Sequence, residues 1–200
     1  MAARRREPLA APFFARDTVR VARGLLGCIL EAVVDDEVTC GRIVEVEAYV
    51  GPHDPADHGY ANRRTRRNDA LFGPPGTAYV YFTYGMHWCF NAVTERDGYP
   101  AAVLIRALQP LSGMNVMARR RGTDREISFC SGPARLCQAL GITGEHNGRA
   151  LADGPVRILR DRAQPVRSIA AGPRIGISRA PDWPLRFWER GSRWLSRPEK

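Results

Sequence analysis

The stretch Arg42-Ile-Val-Glu-Val-Glu-Ala-Tyr-Val50 sets Glu45 and Glu47 two residues apart among apolar and β-branched side chains. Carboxylates buried there without partners would cost several kcal/mol, so they must be paired, hydrogen-bonded or put to chemical use. A strand period of two places Ile43, Glu45, Glu47 and Tyr49 on one face and Arg42, Val44, Val46 and Ala48 on the other. Spacing alone also allows a plainer arrangement, with both glutamates on a solvated face opposite nearby arginines. Further along, Ala78-Tyr-Val-Tyr-Phe-Thr-Tyr84 groups Tyr79, Tyr81 and Thr83 on one face, with Val80, Phe82 and Tyr84 on the other. His87, Cys89, Asn91 and Val93 share a face of the next run. Tyrosine-rich strands commonly serve sheet packing. Phenol rings that stack, beside acids, a histidine, an amide and arginines, are also what capture of a single nucleobase requires.

The charge points the same way. Thirty basic residues against 21 acidic give a formal net charge of +9, and four arginines crowd into Arg63-Arg-Thr-Arg-Arg67. Such a run suits phosphate contacts, although a charge run is also the ordinary composition of a solvated loop. Arg119-Arg-Arg121 follows a short helix and reads as plain solvent exposure. The basic residues are 29 arginines and the single lysine Lys200. The five cysteines are odd in number and never spaced C-x-x-C, and the four histidines are scattered. No disulfide framework, metal site or cofactor is expected, and the cysteines read as buried apolar residues in a reducing compartment. No run approaches the ~20 apolar residues of a membrane span, and no apolar segment follows Met1-Ala-Ala-Arg-Arg-Arg as a secretory signal would need.

The elements that must position these groups are legible in outline. Residues 1–15 read as a loose basic tail and 16–200 as one domain, in keeping with 200 residues and 44% hydrophobic content. Asp17 is placed to cap a helix over 18–26 that Gly27 ends. A turn at Asp35-Asp-Glu37 leads into the glutamate strand. Residues 51–76 form a long irregular segment, and loops of that length usually serve function. Residues 78–84 and 87–94 form a hairpin around Gly85-Met86. A strand over 101–107 stops before Pro110. Ser131 caps a helix through Leu140 with Pro133 in its first turn. Short strands are expected at 156–160, 173–178 and 185–190. The fold class is α+β: a curved, mostly antiparallel sheet flanked by helices.

The chain resembles the alkyladenine (3-methyladenine) DNA glycosylase family. The matching stretches are Gly41-Arg-Ile-Val-Glu-Val-Glu-Ala-Tyr-Val-Gly-Pro52, His58, Arg66-Arg-Asn68, Tyr79-Val-Tyr-Phe-Thr-Tyr-Gly-Met-His-Trp-Cys-Phe-Asn91, Val103-Leu-Ile-Arg-Ala-Leu-Gln-Pro110, Cys130-Ser-Gly-Pro-Ala-Arg-Leu-Cys-Gln-Ala-Leu140, Arg174-Ile-Gly-Ile177 and Pro184-Leu-Arg-Phe187. They follow the family's order over nearly all of 16–196. The resemblance implies that Glu47, rather than Glu45, activates water, with Arg106 and the backbone carbonyl of Ile175 helping to hold it. It makes Tyr49, His58 and Tyr81 the cage of an extruded base, and Asn91 a screen against guanine. Tyr84 becomes a wedge at the tip of a hairpin that inserts into DNA. Met86, His87 and the arginines Arg63, Arg66 and Arg67 would flank the duplex. His87 followed by Trp88 is a departure, since some members carry tyrosine there, and it bears on packing beside the wedge.

The function so implied is a monofunctional DNA glycosylase of base excision repair. It would flip alkylated or deaminated purines out of duplex DNA and hydrolyse the N-glycosidic bond, leaving an abasic site. Its partner would be double-stranded DNA containing damaged purines, with no membrane contact. A monomer is expected, cytoplasmic and nucleoid-associated in a bacterium or nuclear in a eukaryote. With no internal lysine to form a Schiff base, strand nicking is not expected. Two other readings remain at this point. Glu45 and Glu47, roughly 7 Å apart along a strand, fit an inverting carbohydrate hydrolase. A non-catalytic nucleic-acid-binding protein would use the tyrosines as a stacking platform.

Overall fold

Strands form where β-branched and aromatic residues cluster, and short helices fill the apolar stretches between them. The computed structural model describes residues 6–161 and 164–199. In chain order the elements are β1 (Glu7–Pro8), α1 (Ala11–Phe14), α2 (Thr18–Leu25), β2 (Ile29–Val34), β3 (Glu37–Tyr49), β4 (Ala78–Thr83), β5 (His87–Val93), β6 (Ala102–Ser112), α3 (Met114–Arg121), α4 (Pro133–Leu140), β7 (Val156–Arg160), β8 (Ile169–Gly172) and β9 (Arg186–Glu189). Every strand pairing is antiparallel. The order across the sheet is β1-β7-β2-β3-β6-β5-β4, with β9 paired to β3 and β8 to β9. The result is the expected α+β domain, a curled antiparallel sheet with few helices.

Local chemistry explains the ends of these elements. The Asp17 carboxylate accepts the Arg20 N–H at 2.9 Å and caps α2. Asp35 and Asp36 both take positive φ, 53° and 59°, which matches a two-residue turn to the twist of the β2–β3 hairpin. One face of the sheet packs on α2 and α4: Val21, Ala22 and Leu25 with Leu136, Ala139 and Leu140 meet Ile43, Val46, Ala48, Val103, Ile105 and Leu108.

β3 is the spine, and its pairing with β6 slips three times, twice between Ile43 and Val46. Ile43 faces Leu108, Glu45 faces Ala107 and Val46 faces Ile105, which leaves Val44 and Arg106 without a direct partner in the register. Bulges of this kind re-aim side chains. Ile43 therefore joins the main core with Val46 and Ala48, while Val44 packs with Ala107 and Leu195 elsewhere. This corrects the strict alternation expected for 42–50: Ile43 does not share a face with Glu45 and Glu47. The same irregularity carries β6 past Pro110, which pairs with Gly41 beside a further shift. A proline lacks the N–H for a regular ladder and is accommodated at such a break.

Other expectations also need correcting. Residues 7–14 are not a loose tail: β1 pairs with β7, and Leu9 and Phe14 are buried in the core. Residues 1–5 lie outside the described residues. The strand expected at 173–178 lies earlier, as β8, and 173–178 is loop. Gly132, not Ser131, occupies the N-cap of α4, while the Ser131 hydroxyl accepts from Arg135. Arg119 and Arg120 bind Glu37, and Arg121 binds Gln138, so the triplet ties α3 to its neighbours. The remaining strands, the hairpin around Gly85-Met86 and the Gly141 end of α4 fall where the sequence puts them.

If residues 10–15 are part of the fold, Phe14→Ala should cost about 3–5 kcal/mol of unfolding free energy, as deletion of a buried aromatic does. Denaturant titration checks this; a change below ~1 kcal/mol would fit a loose tail instead.

Candidate active site

On the sheet face away from the main core, β3, β4, β5 and β6 line a cavity of ≈ 340 Å³. That lies in the range of small-molecule sites. Glu47 is wholly buried behind its wall, bonded to three of the lining residues, Tyr49, Arg106 and Ile175. Its Oε1 accepts the Ile175 N–H at 2.7 Å, and its Oε2 accepts the Tyr49 hydroxyl at 3.0 Å and lies 3.3 Å from Arg106 Nη1. Burial pushes the carboxyl above its ordinary value, and Arg106, the amide and the phenol pull it part of the way back. The solvated-face arrangement is therefore ruled out: Glu45 and Glu47 are both wholly buried.

Glu45 holds the floor together. It accepts Arg106 Nε at 3.1 Å, Arg186 Nε at 2.8 Å, and the Ser196 hydroxyl and N–H at 2.7 and 2.6 Å. Of the cavity-lining residues it touches Arg106, whereas Glu47 touches Tyr49, Arg106 and Ile175. Three donors crowd Glu45 Oε1 and the Ser196 N–H takes its Oε2, so anchoring accounts for the burial of Glu45, and nothing here sets it across a cleft from Glu47 as an inverting pair requires. Two carboxylates against two guanidiniums also make the cluster formally neutral, the condition for burying four charges.

The walls are aromatic. The rings of Tyr79 and Tyr81 are 5.4 Å apart at a 34° tilt, and His58 meets Tyr81 edge-on at 4.6 Å. A 2.8 Å hydrogen bond joins His58 Nδ1 to the Tyr79 hydroxyl. His58 stands at the rim; the protein packed around it, together with the Arg67 charge, lowers its pKa and favours neutral imidazole near pH 7. Tyr49 lines the opposite part of the cavity, and Asn91 projects into it with its amide nitrogen tied to the Tyr79 carbonyl at 2.9 Å. Asp57 also lines the cavity; burial pushes its carboxyl up to about 7, against the pull of the Gly59 and Gly51 amides it accepts.

The long 51–76 segment is held by side chains, not by a ladder. Asn68 is the clasp: its Nδ2 donates to the His58 and Arg63 carbonyls, and its Oδ1 accepts the Thr65 N–H and hydroxyl. Gly59 has no room for a Cβ, which would stand 2.3 Å from Pro100 Cβ. Arg63, Arg66 and Arg67 are exposed on this loop; Arg67 also donates to the Phe82 carbonyl and stands 5.9 Å from the Tyr81 ring centroid. At the hairpin tip Tyr84 is 82% exposed with φ of 52°, Met86 is 68% exposed, and His87 is exposed beside them.

The structure thus gathers Arg106, Tyr49, His58, Tyr81, Asn91 and Ile175 around one cavity, with Tyr84 at its mouth and Glu47 bonded directly behind Tyr49, Arg106 and Ile175. Met86, His87, Arg63 and Arg66 stand outside it. Ile175 enters through its N–H on Glu47. Sequence reasoning does not single out Tyr79, Asp57 or Arg186. Tyr79 is within its reach, because period-2 spacing already sets it beside Tyr81; nothing local marks Arg186 as a partner for Glu45. Among the described residues no three His, Cys, Asp or Glu side chains converge as metal ligands. No helix there is long and apolar enough to cross a membrane.

A family model described as methylpurine-DNA glycosylase matches residues 12–193. Proteins named "Putative 3-methyladenine DNA glycosylase" are similar along nearly their whole length. That of Methanoculleus marisnigri is 52% identical over 194 residues, covering 94% of this chain and 98% of its own. That of Rhodopseudomonas palustris strain HaA2 is 51% identical, covering 96% and 92%. That of Carboxydothermus hydrogenoformans is 44% identical, covering 94% and 98%.

Breaking the buried cluster from one side should be severe. Glu45→Gln leaves Arg106 and Arg186 short of their shared carboxylate and should cost about 3–5 kcal/mol in denaturant unfolding. A loss below ~1 kcal/mol would mean that Glu45 does not anchor the floor.

Proposed function

The chain belongs to the methylpurine-DNA glycosylase family, and from that premise we propose that it excises alkylated and deaminated purines from duplex DNA with a water activated by Glu47. Hydrolysis of N-glycosyl bonds in DNA follows from the family; the choice of lesions and the role of Glu47 are the proposal. The observation that carries it is that Glu47 is buried against an aromatic cavity and bonded to three of the residues that line it, Arg106, Tyr49 and Ile175.

A carboxylate oxygen offers about two lone-pair directions. Oε2 of Glu47 is filled by the Tyr49 hydroxyl and Arg106, whereas Oε1 takes only the Ile175 amide. The water is therefore assigned to Oε1, with Arg106 and the Ile175 backbone carbonyl as further contacts. Its oxygen bonds to C1′ as the C1′–N bond breaks, its proton passes to Glu47, and the bonding pair leaves with the base. The sugar crosses an oxocarbenium-like state that the carboxylate stabilises. A cationic base such as 3-methyladenine or 7-methylguanine departs neutral without a general acid. Hypoxanthine and ethenoadenine need a donor at the purine edge. His58, neutral and at the rim, offers that as a hydrogen bond from its ring or backbone.

The extruded base would lie between Tyr49 on one side and His58 and Tyr81 on the other, with Asn91 crowding the exocyclic amino group of guanine. Cation–π attraction of ~0.5–2 kcal/mol favours charged lesions, and damaged pairs are easier to unstack by a few kcal/mol. The exposed ring of Tyr84 suits it as the wedge that fills the vacated stack, with Met86 and His87 beside it in the minor groove. Arg63, Arg66 and Arg67 supply phosphate contacts. Among the described residues there is no lysine. An intact abasic site is the expected product, since none of the described residues carries a side-chain amine to attack the sugar. A monomer acting on nucleoid DNA fits these parts.

The test is chromatography of free bases released from methylated, deaminated and etheno-containing duplexes. Wild type should release them, and Glu47→Gln should lose at least ~100-fold in rate while still binding lesion DNA. An active Glu47→Gln variant would remove the assignment. Only the carboxylate form of Glu47 accepts a proton, and its pKa is raised, so excision should climb with pH through a limb lying above the ordinary glutamate value of ~4.3. A rate profile flat down to pH 4 would contradict this.

A further inference from the structure

Segment 173–178 passes the site without strand pairing, and Arg174 is what fixes it. Its side chain is wholly buried. The guanidinium forks onto the Asp54 carboxylate, Nη2 to Oδ1 at 2.8 Å and Nη1 to Oδ2, and Nη1 also donates to the Ala48 carbonyl at 3.0 Å. Its Cζ stands 4.7 Å from the centroid of the Tyr49 ring. Tyr49 lines the cavity and Arg174 does not, so the cation occupies the ring face turned away from the base.

We propose that Arg174 sets the preference of this site between cationic and neutral bases, acting through Tyr49. This rests on the proposed stacking of Tyr49 on the extruded base. A phenol face attracts cations because its π-cloud is negative. A guanidinium already on one face draws that density toward itself and leaves the other face poorer for a second cation. A base stacked at ordinary contact distance would place two positive charges roughly 8 Å apart across one ring, in a site where water screens them little. A neutral purine feels neither penalty. Asp54 offsets part of the guanidinium charge, so the balance between these two side chains sets the ratio in which charged and neutral lesions are excised. Arg174 also precedes Ile175, whose amide orients Glu47. Loss of that positioning role would slow both substrate classes alike, and the ratio of rates separates the two effects.

The experiment is single-turnover excision of 7-methylguanine and hypoxanthine from otherwise identical duplexes. The double variant Asp54→Asn/Arg174→Gln replaces the ion pair with two amides and should raise the 7-methylguanine to hypoxanthine rate ratio at least threefold. Asp54→Asn alone leaves the guanidinium uncompensated and should lower that ratio. If the double variant fails to fold, judged by circular dichroism, the single variant still decides by its sign. Equal falls in both rates, or an unchanged ratio, would overturn the proposal and leave Arg174 a purely structural residue. If Tyr49→Ala leaves both wild-type rates unaffected, the stacking reading itself fails and this inference with it.

Discussion

Arg106 is shared between two buried carboxylates, and most of the site follows from that. Its Nε reaches Glu45 and its Nη1 reaches Glu47. One guanidinium cannot neutralise two carboxylates, so Arg186 and Ser196 complete Glu45, while the Tyr49 hydroxyl and the Ile175 amide complete Glu47. The two glutamates, two residues apart on one strand, end in opposite roles. Glu45 takes four donors and ties Arg106, Arg186 and Ser196 together; Glu47 is bonded to three residues that line the cavity, Tyr49, Arg106 and Ile175. Bulges in β3 and β6 make this possible by freeing Arg106 from regular pairing.

The cavity is built by the same economy. β4 and β5 bring Tyr79, Tyr81 and Asn91 to one face with no more than period-2 alternation, and β6 adds Leu104 and Arg106. What closes the cavity is irregular chain: the 51–76 segment clasped by Asn68, and 173–178 held by Arg174. Strands thus carry Glu47, Arg106 and the aromatic wall of Tyr49, Tyr79 and Tyr81, and loops tied down by buried polar side chains carry His58 and Ile175. The exposed Tyr84 tip borders the cavity, and Arg67 of the arginine loop stands 5.9 Å from the Tyr81 ring that lines it.

Much of this is legible in the sequence because it is local. The hairpin, the Asp17 cap, the glycine end of α4 and the face shared by Tyr79 and Tyr81 depend on residues within a few positions of one another. Glu47 is separable from Glu45 only by resemblance, since the alternation treats them as equivalent. What cannot be read depends on distant partners. Arg186 and Ser196 are 141 and 151 residues from Glu45. The bulge that moves Ile43 to the core is a property of two strands together, not of either one. Segment 173–178 has strand-like composition but is held by the side chain of Arg174, so propensity loses to a tertiary contact. Residues 7–14 join the fold through β1 pairing and the buried side chains of Leu9 and Phe14, whose partners on β7 and in the core lie far along the chain.

The central claim is that Arg106 holds a buried Glu47 in a state able to take a proton from water. The most direct measurement is the titration of Glu47 itself, by NMR of carboxyl-labelled glutamate in the free protein and in Arg106→Gln. The account expects the wild-type carboxyl to titrate above ordinary glutamates and to move higher still once the guanidinium is gone. A Glu47 that titrates at the ordinary value, or whose titration is indifferent to Arg106, would contradict it.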